Sequence, residues 1–246
     1  MRNASVRKMA HEPGSSRPGR LGSDCRVHGQ TARERTAHFA RYICRLDRSL
    51  HSCAGAREFR ECYPDVSVIV RLEDTPAALK AVEEGISDLA VIVEDRLPKS
   101  LTAHELFQDR LQFVVSPRHP WADKRRISPR DISAGHFLLY ARNTVTFRQI
   151  EDFLLKMGVT LSSHVEISSF IIMKQLAQLG LGIAIMAAWV AARELKEGSL
   201  VARPLPEYLI KRRWSLIHQA GRELGQTERT FLGLCRMAAK TKIPAV

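Results

Sequence analysis

Residues 59–93 constrain the fold of this 246-residue chain most, because they follow the order strand, helix, strand. The β-branched run at 66–72 and the apolar run at 89–93 both suit strands buried in a parallel sheet. Between them, Thr75 can cap a helix, and Pro76 then takes its first position, where the missing N–H costs nothing. The segment predicts a βαβ unit whose helix N-terminus faces the edge where open α/β sheets bind ligands.

The alternation of strand and helix continues towards the C-terminus, which is typical of the α/β class with mainly parallel sheets. A polar connector with three prolines, near 117–131, predicts a division into two lobes. Strands are expected at 111–115, 137–140, 165–167, 183–186, 200–205 and 213–218, and helices at 147–157, 170–179, 189–196 and 226–237.

Residues 1–55 have a different composition from the rest. Their eleven Lys/Arg and four Asp/Glu give a net charge of +7 out of +12 for the chain, so the basicity does not indicate a nucleic-acid footprint on the folded body. A disordered basic tail is the expected behaviour, and a nucleic-acid-binding arm is the alternative. No helix-turn-helix can be placed in this segment.

Several broad classes are disfavoured by simple patterns. No run of eighteen apolar residues predicts a membrane helix, and the basic N-terminus lacks the apolar core of a secretory signal. The five cysteines are scattered without a CxxC pair, which favours free thiols in a reducing cytosol. The expectation is therefore a cytoplasmic protein without a membrane partner, metal site or cofactor.

Seven pieces of sequence occur in a fixed order over about 180 residues: FRECYPDVSV, LEDTPAALKAVEEGISDLAVI, SPRHPWAD, TVTFRQIEDFLLKMGV, EISSFIIMKQLAQLGLGIAIM, LKEGSLVARPL and RRWSLIHQ. In this order they resemble the effector-binding domain of LysR-type transcriptional regulators. The resemblance implies two Rossmann-like lobes of the periplasmic-binding-protein type 2, joined by two crossover strands. It assigns residues 56–118 plus 207–240 to lobe I and 119–206 to lobe II, with 1–55 as a separate basic segment.

The resemblance also implies a function. A small-molecule effector would bind in the cleft between the lobes and modulate transcription, and the chain would act as a homo-oligomer, either a dimer or a tetramer. Promoter DNA would be contacted only through a helix-turn-helix, which is not recognisable here. Two alternatives remain open: a stand-alone binding protein of the same fold, and a small α/β enzyme, although no nucleophile, triad or metal constellation stands out.

Residues 1–55 depart from the family pattern. A first strand is expected just before Ala56, but this region has no β-branched run, and we hypothesise that it is read in a shifted frame. Without that strand, backbone groups of 66–72 and 89–93 would lack partners, at about 1–3 kcal/mol for each buried group. The first lobe is then expected to be marginally folded, unless residues 31–55 supply a replacement.

The effector site is expected at helix N-termini, whose free N–H groups and partial positive charge suit an anion. The same side chains could be plain helix caps, and acidic residues at the cleft would instead favour an effector with a cation or hydroxyl groups. The candidates are Glu73, Asp74 and Thr75 in the first lobe, and Asn143, Thr144, Thr146, Ser168, Ser169 and Phe170 in the second. No catalytic residue is expected.

Overall fold

The computed structural model describes residues 39–44, 59–205 and 210–242. Residues 59–62 are helical and lead into the first βαβ unit. The strands are β1 (Phe39–Cys44), β2 (Ser67–Arg71), β3 (Leu89–Glu94), β4 (Leu101–Val115), β5 (His136–Tyr140), β6 (Ser163–Ile167), β7 (Ile183–Ala187), β8 (Val201–Pro204) and β9 (Lys211–Gln219). The helices are α1 (Thr75–Glu83), α2 (Pro129–Ala134), α3 (Val145–Lys156), α4 (Phe170–Gln178), a 3-10 turn (Ala188–Ala191), α5 (Ala192–Lys196) and α6 (Gln226–Lys242).

The strands form one continuous sheet in the order β2-β1-β3-β9-β4-β7-β5-β6, and β8 pairs with β4. Pairing is parallel among β2, β1 and β3 at one end and among β7, β5 and β6 at the other. The long antiparallel pair of β4 and β9 joins the two ends. β4 pairs with β9 along 101–110 and with β7 and β8 along 111–115. The chain therefore has two α/β halves connected through β4 and β9.

The expectation that residues 1–55 lack the first strand is wrong, because β1 lies within them. Tyr42 pairs with Val70 of β2 and with Leu89 of β3, so β1 occupies the central position between these strands. The segment FARYIC has a single β-branched residue, and the sequence pattern therefore missed it. Backbone pairing across a sheet depends on neighbouring strands more than on local propensity. The backbone groups of β2 and β3 consequently do have partners.

Two other expectations about strands need correction. The run at 66–72 was expected to be buried, but all five residues of β2 are exposed because β2 is an edge strand with β1 as its neighbour. The strand expected at 111–115 extends back to Leu101, so that β4 is fifteen residues long. Its polar first part escaped the hydrophobic pattern because it alternates between partly buried and exposed positions.

The core is largest in the half that contains β5 and β7, where β7 is apolar and buried throughout and β5 is buried from Phe137 onward. Phe113 of β4 and Ile150 of α3 lie in this core with no exposed surface. A smaller cluster under α1 includes Val82, Ile92 and Ile217. Gly85 follows α1 with a φ of 67°, the left-handed conformation with which glycine commonly ends a helix.

Candidate functional site

A narrow cleft lies between the two halves, at the N-terminal ends of α1, α3 and α4. Its empty space is about 400 Å³ when the open mouth is counted, but its interior volume is about 30 Å³. The interior has room for about one or two water molecules, so the two halves stand close together. The residues that line it are Glu73, Thr75, Val91, Ile92, Val93, Tyr140, Thr144, Val145, Thr146, Phe170, Arg212 and Trp214.

The first wall of the cleft is the start of α1. Asp74, and not Thr75 as the sequence suggested, is the N-cap: its Oδ1 accepts a hydrogen bond from the backbone N–H of Ala77 at 2.9 Å. Thr75 is therefore the first helical residue and Pro76 the second, and Thr75 lines the cleft. Glu73 also lines the cleft, and it makes no hydrogen bond or ion pair with the other described side chains. Thr75 and Glu73 are thus the groups of this wall that can face a ligand.

The opposite wall is the start of α3. Thr144 is the N-cap of this helix, which is the alternative to an effector contact that the sequence allowed. Its Oγ1 accepts a hydrogen bond from the backbone N–H of Phe147 at 3.1 Å and donates one to the carbonyl of Ala141 at 2.8 Å. Its hydroxyl is therefore committed to the backbone. Thr146, the second residue of α3, is 5% exposed and accepts a hydrogen bond from Arg212 at 3.1 Å. Thr146 is the better placed of the two hydroxyls for a ligand.

The start of α4 contributes one of its three expected residues. Ser169, and not Ser168, caps the helix by accepting from the N–H of Ile172 at 3.5 Å. Ser168 is exposed, and neither serine lines the cleft. Phe170 does line it, and its ring packs edge-on against Tyr140 with the centroids 5.4 Å apart. This helix therefore adds an aromatic surface to the cleft.

Two polar contacts join the halves at the mouth of the cleft. The side-chain amide of Asn143 donates a short hydrogen bond to the second carboxylate oxygen of Asp74. Nearby, the guanidinium of Arg148 on α3 lies 3.5 Å from the carboxylate of Asp95, just after β3. Asp74 and Asn143 do not line the cavity, but they face each other across its entrance, where they hold the halves together.

The floor of the cleft is a buried charge pair that the sequence did not reveal. Arg212 of β9 and Asp109 of β4 are each 2% exposed and occupy directly paired positions of the two strands. The guanidinium donates to both carboxylate oxygens, from Nε at 2.8 Å and from Nη2 at 2.5 Å. The indole N–H groups of Trp189 and Trp214 donate to the same carboxylate at 2.7 and 3.0 Å. Asp109 therefore accepts four hydrogen bonds.

Burial by itself lowers the pKa of Arg212, but the adjacent Asp109 charge and its hydrogen bonds outweigh burial, and the pKa is raised above its usual value. The guanidinium also lies over the ring of Trp214 at 5.2 Å. The sequence signal of the buried Arg212 is the alternation of β9, in which Arg212 and Trp214 fall on the buried side while Lys211 and Arg213 face water.

Metal and membrane roles find no support in the described ranges. No three His, Cys, Asp or Glu side chains among residues 39–44, 59–205 and 210–242 come together as a metal site would require. Across the same ranges, no helix has both the length and the apolar character needed to span a bilayer.

Comparison with known proteins decides the family. The model of the LysR substrate binding domain matches residues 56–240. The chain belongs to this family. Among its relatives, the transcriptional activator CmpR of Synechocystis is 23% identical over 175 residues, which cover 71% of this chain and 58% of CmpR. The regulator MetR of Escherichia coli is 27% identical over 202 residues, which cover 80% of this chain and 63% of MetR.

Solved structures of the LysR family share the fold. The regulatory domain of CcmR from Synechocystis, in complex with 2-PG, aligns with a TM-score of 0.72 at 20% identity, covering 84% of this chain and 99% of that domain. The regulatory domain of MetR from N. meningitidis aligns with a TM-score of 0.70 at 17% identity, covering 84% and 96%. The two α/β halves are therefore Rossmann-like lobes of the periplasmic-binding-protein type 2, as expected. The chain spans less than two thirds of the length of the full-length relatives CmpR and MetR.

Proposed function

We propose that this chain is the effector-sensing part of a LysR-family transcriptional regulator, in which a small metabolite bound between the lobes modulates DNA-templated transcription. The observation that carries the proposal is the cleft, where the N-termini of α1 and α3 approach from different halves in a chain of this family. The relatives are named as transcriptional regulators and not as enzymes, which supports a sensing role over catalysis.

The proposed lobes are 56–118 plus 207–240 and 119–206. The pairing of β4 refines this division, because its residues from Leu111 onward pair with β7 and β8. The hinge is then formed by the middle of β4 and the beginning of β9, where Asp109 and Arg212 meet. Since the interior of the cleft is about 30 Å³, entry of a metabolite requires the lobes to separate and the contact between Asp74 and Asn143 to break.

The proposed effector-binding residues are those expected from the sequence, and they differ in their position relative to the cleft. Thr75, Thr146 and Phe170 line the cleft directly. Thr144 also lines the cleft, but its hydroxyl is already hydrogen-bonded to backbone groups. It would therefore contact an effector mainly through van der Waals packing. Asp74 and Asn143 would act at the entrance. Ser168 and Ser169 lie outside the cavity, and they would contact an effector only in a more open arrangement.

We further propose that the regulator is a cytoplasmic homo-oligomer that reaches promoter DNA through a helix-turn-helix. Exposed apolar side chains support association. Val68 and Val70 on the edge strand β2 are 38% and 53% exposed, and Ile171 and Ile172 on α4 are 44% and 50% exposed. These surfaces belong to different lobes, so the first lobe of one subunit could pair with the second lobe of its partner.

The function is tested by thermal-shift screening of the full chain against a collection of small metabolites, followed by calorimetry. We expect at least one compound to raise the melting temperature in a concentration-dependent manner. Thr75→Arg, which fills the cleft beside an intact Asp74 cap, should weaken that binding at least about tenfold, while Thr160→Arg on an exposed loop should not.

Three outcomes separate the functions. Ligand-dependent affinity for operator DNA, in an intact regulator that carries this domain, supports sensing. Binding without any effect on DNA affinity would indicate a binding module, and turnover of the compound would indicate an enzyme. Either of these results contradicts the proposal.

A further inference from the structure

The charged groups of the cleft are arranged asymmetrically. In the α1 wall, Glu73 presents a carboxylate that has no partner among the described side chains. In the floor, Arg212 presents a guanidinium whose charge is balanced by the buried Asp109. The same cavity is therefore lined by an uncompensated acceptor and by a set of donors without excess charge.

The donor end suits a carboxylate group. The oxygen of Thr146 accepts from Arg212, and among the described residues the Thr146 hydroxyl proton has no acceptor of its own. It can therefore donate to a ligand oxygen. Val145 and Thr146, the first two residues of α3, also line the cleft, and the first N–H groups of a helix have no intrahelical acceptor. An oxyanion would find three kinds of donor here: a guanidinium, a hydroxyl and the helix N-terminus.

The acceptor end suits an ammonium group. A carboxylate such as that of Glu73 repels a second negative charge but pairs well with a cation held at hydrogen-bond distance. The Asp74 carboxylate at the entrance has the same sign, although the α1 backbone and Asn143 occupy its oxygens. A dianion would therefore be disfavoured, because Asp109 already neutralises the buried cation that could balance a second charge.

Much of the remaining lining is apolar. Val91 and Val93 of β3, Trp214 of β9, which is paired with Val93, and the ring of Phe170 line the cavity. These surfaces would bury a compact aliphatic or aromatic group. A ligand reaches them when the lobes separate, because the closed interior of about 30 Å³ holds only about one or two water molecules.

We infer that the effector is a small zwitterion, namely an α-amino acid with an apolar side chain. Its carboxylate binds Arg212, Thr146 and the start of α3, and its ammonium group binds Glu73. The inference rests on the proposed function, since it assigns a ligand class to the same cleft. It adds Arg212 to the candidates predicted from the sequence, and it assigns to Glu73, one of those candidates, the binding of the ammonium group.

The test is calorimetry of the full chain with each of the twenty standard L-amino acids. For every amino acid that binds, two analogues are titrated: the carboxylic acid that lacks the amino group and the amine that lacks the carboxylate. We expect an apolar amino acid to bind at least about tenfold more tightly than either analogue, because each analogue leaves one charged group of the cleft unpaired.

Two variants test which residue binds the ammonium group and which binds the carboxylate. Glu73→Gln should reduce the preference for the amino acid over its des-amino analogue to within about twofold, whereas Glu84→Gln at the far end of α1 should preserve it. Thr146→Val should weaken binding of the des-amino acid several-fold and leave binding of the amine unchanged. Thr146→Val also avoids the unfolding expected when Arg212 itself is replaced.

The possible outcomes distinguish this inference from the proposed function. One outcome is that no amino acid binds, while the metabolite screen yields a sugar, an amine or a dianion whose binding is weakened by Thr75→Arg. The zwitterion assignment is then overturned, and the sensing role stands. If an amino acid binds equally well in Glu73→Gln, the assignment of the ammonium site is wrong. If the screen yields no ligand of any class, both proposals fail.

Discussion

Asp109 and Arg212 face each other across the two strands that connect the lobes, and each is buried to 2% exposure with the other as its counterion. Two guanidinium N–H groups and two indole N–H groups converge on the carboxylate. A further hydrogen bond of Arg212, to Thr146, reaches the first turn of α3 in a wall of the cleft. The hinge and the cleft therefore share one hydrogen-bond network.

Breaking this pair is expected to destabilise the domain severely. Asp109→Asn leaves a buried guanidinium without a counterion, and such changes cost about 3–5 kcal/mol. Urea unfolding at pH 7 measures the change in free energy. Glu197→Gln, which removes the partner of Arg193 in an exposed pair at 3.9 Å, should cost less than about 1 kcal/mol. Equal losses in the two variants would contradict the role assigned to Asp109.

A second buried pair fixes α5 against α4. The ammonium of Lys174 lies 3.1 Å from Glu194 and donates to the carbonyl of Val190 at 3.1 Å. Burial raises the pKa of Glu194, but its hydrogen bonds and the Lys174 charge outweigh burial, so the pKa is lowered below its ordinary value of 4.5. This depressed pKa contributes stability above pH 4.5 that is lost as the pH falls through the folded-state value.

Lys174→Met should weaken that pH dependence. The variant removes the hydrogen bond and the charge of Lys174, whereas a backbone hydrogen bond and Arg193, whose Nη2 lies 3.1 Å from the Glu194 carboxylate, continue to lower the pKa of Glu194. Because this pKa is then less depressed, the variant should lose less stability than the wild type as the pH falls from 7 to 4. The measurement is urea unfolding at pH 7.0 and 4.0. The double variant Lys174→Met with Glu194→Gln removes the titrating group, so Glu194 contributes nothing to its slope. A single-variant slope like that of the wild type would refute the explanation.

The sequence predicted those elements whose signals are local. The βαβ unit was placed within a residue or two, because Val68 and Val70, the helix face of α1 and Gly85 each carry their own pattern. The N-cap at Thr144 was recognisable for the same reason. The sequence offered Thr75 or its acidic neighbours as the cap of α1, and Ser168 or Ser169 as the cap of α4. The caps are Asp74 and Ser169, and local chemistry does not distinguish them from their polar neighbours.

The features that the sequence did not predict depend on distant partners. β1 is a strand because β2 and β3 pair with it on both sides. Arg212 was not predicted to be buried, because its counterion, Asp109, lies 103 positions away. The contact that closes the cleft joins Asp74 to Asn143, which are 69 positions apart. Such pairings arise only when the lobes are assembled, so no pattern within either segment could indicate them.

The central position of β1 leads to a third prediction. Ile43 pairs with Arg71 on one side and with Ala90 on the other. Ile43→Pro removes a ladder hydrogen bond at this central position and should expose the backbone of both neighbours to exchange. Hydrogen–deuterium exchange should show lost protection in 67–71 and 89–94, with 183–187 unchanged. Ile43→Val should exchange like the wild type. Full protection in Ile43→Pro would show that residues 39–44 do not complete this sheet.

The last prediction concerns two histidines on the connecting strands. His104 of β4 and His218 of β9 stack with their rings 5.1 Å apart, and their Nε2 atoms lie 3.0 Å from each other. Burial lowers the pKa of both imidazoles below 6.5. The His218 and Arg236 charges add to this effect at His104, and the Arg222 charge adds to it at His218, where a backbone hydrogen bond at Gln219 and the Glu228 charge oppose it.

The folded protein then binds fewer protons than the unfolded chain between the depressed values and pH 6.5. Stability is therefore complete above pH 6.5 and declines as the pH falls below it. Replacing both histidines by Gln, which can keep a hydrogen bond between the strands, should flatten the decline in melting temperature between pH 7.5 and 5.5. His136→Gln, at an exposed position outside the pair, should keep the wild-type decline. If the double variant loses stability as steeply as the wild type, the decline comes from other groups, and the facing imidazoles do not sense pH in this range.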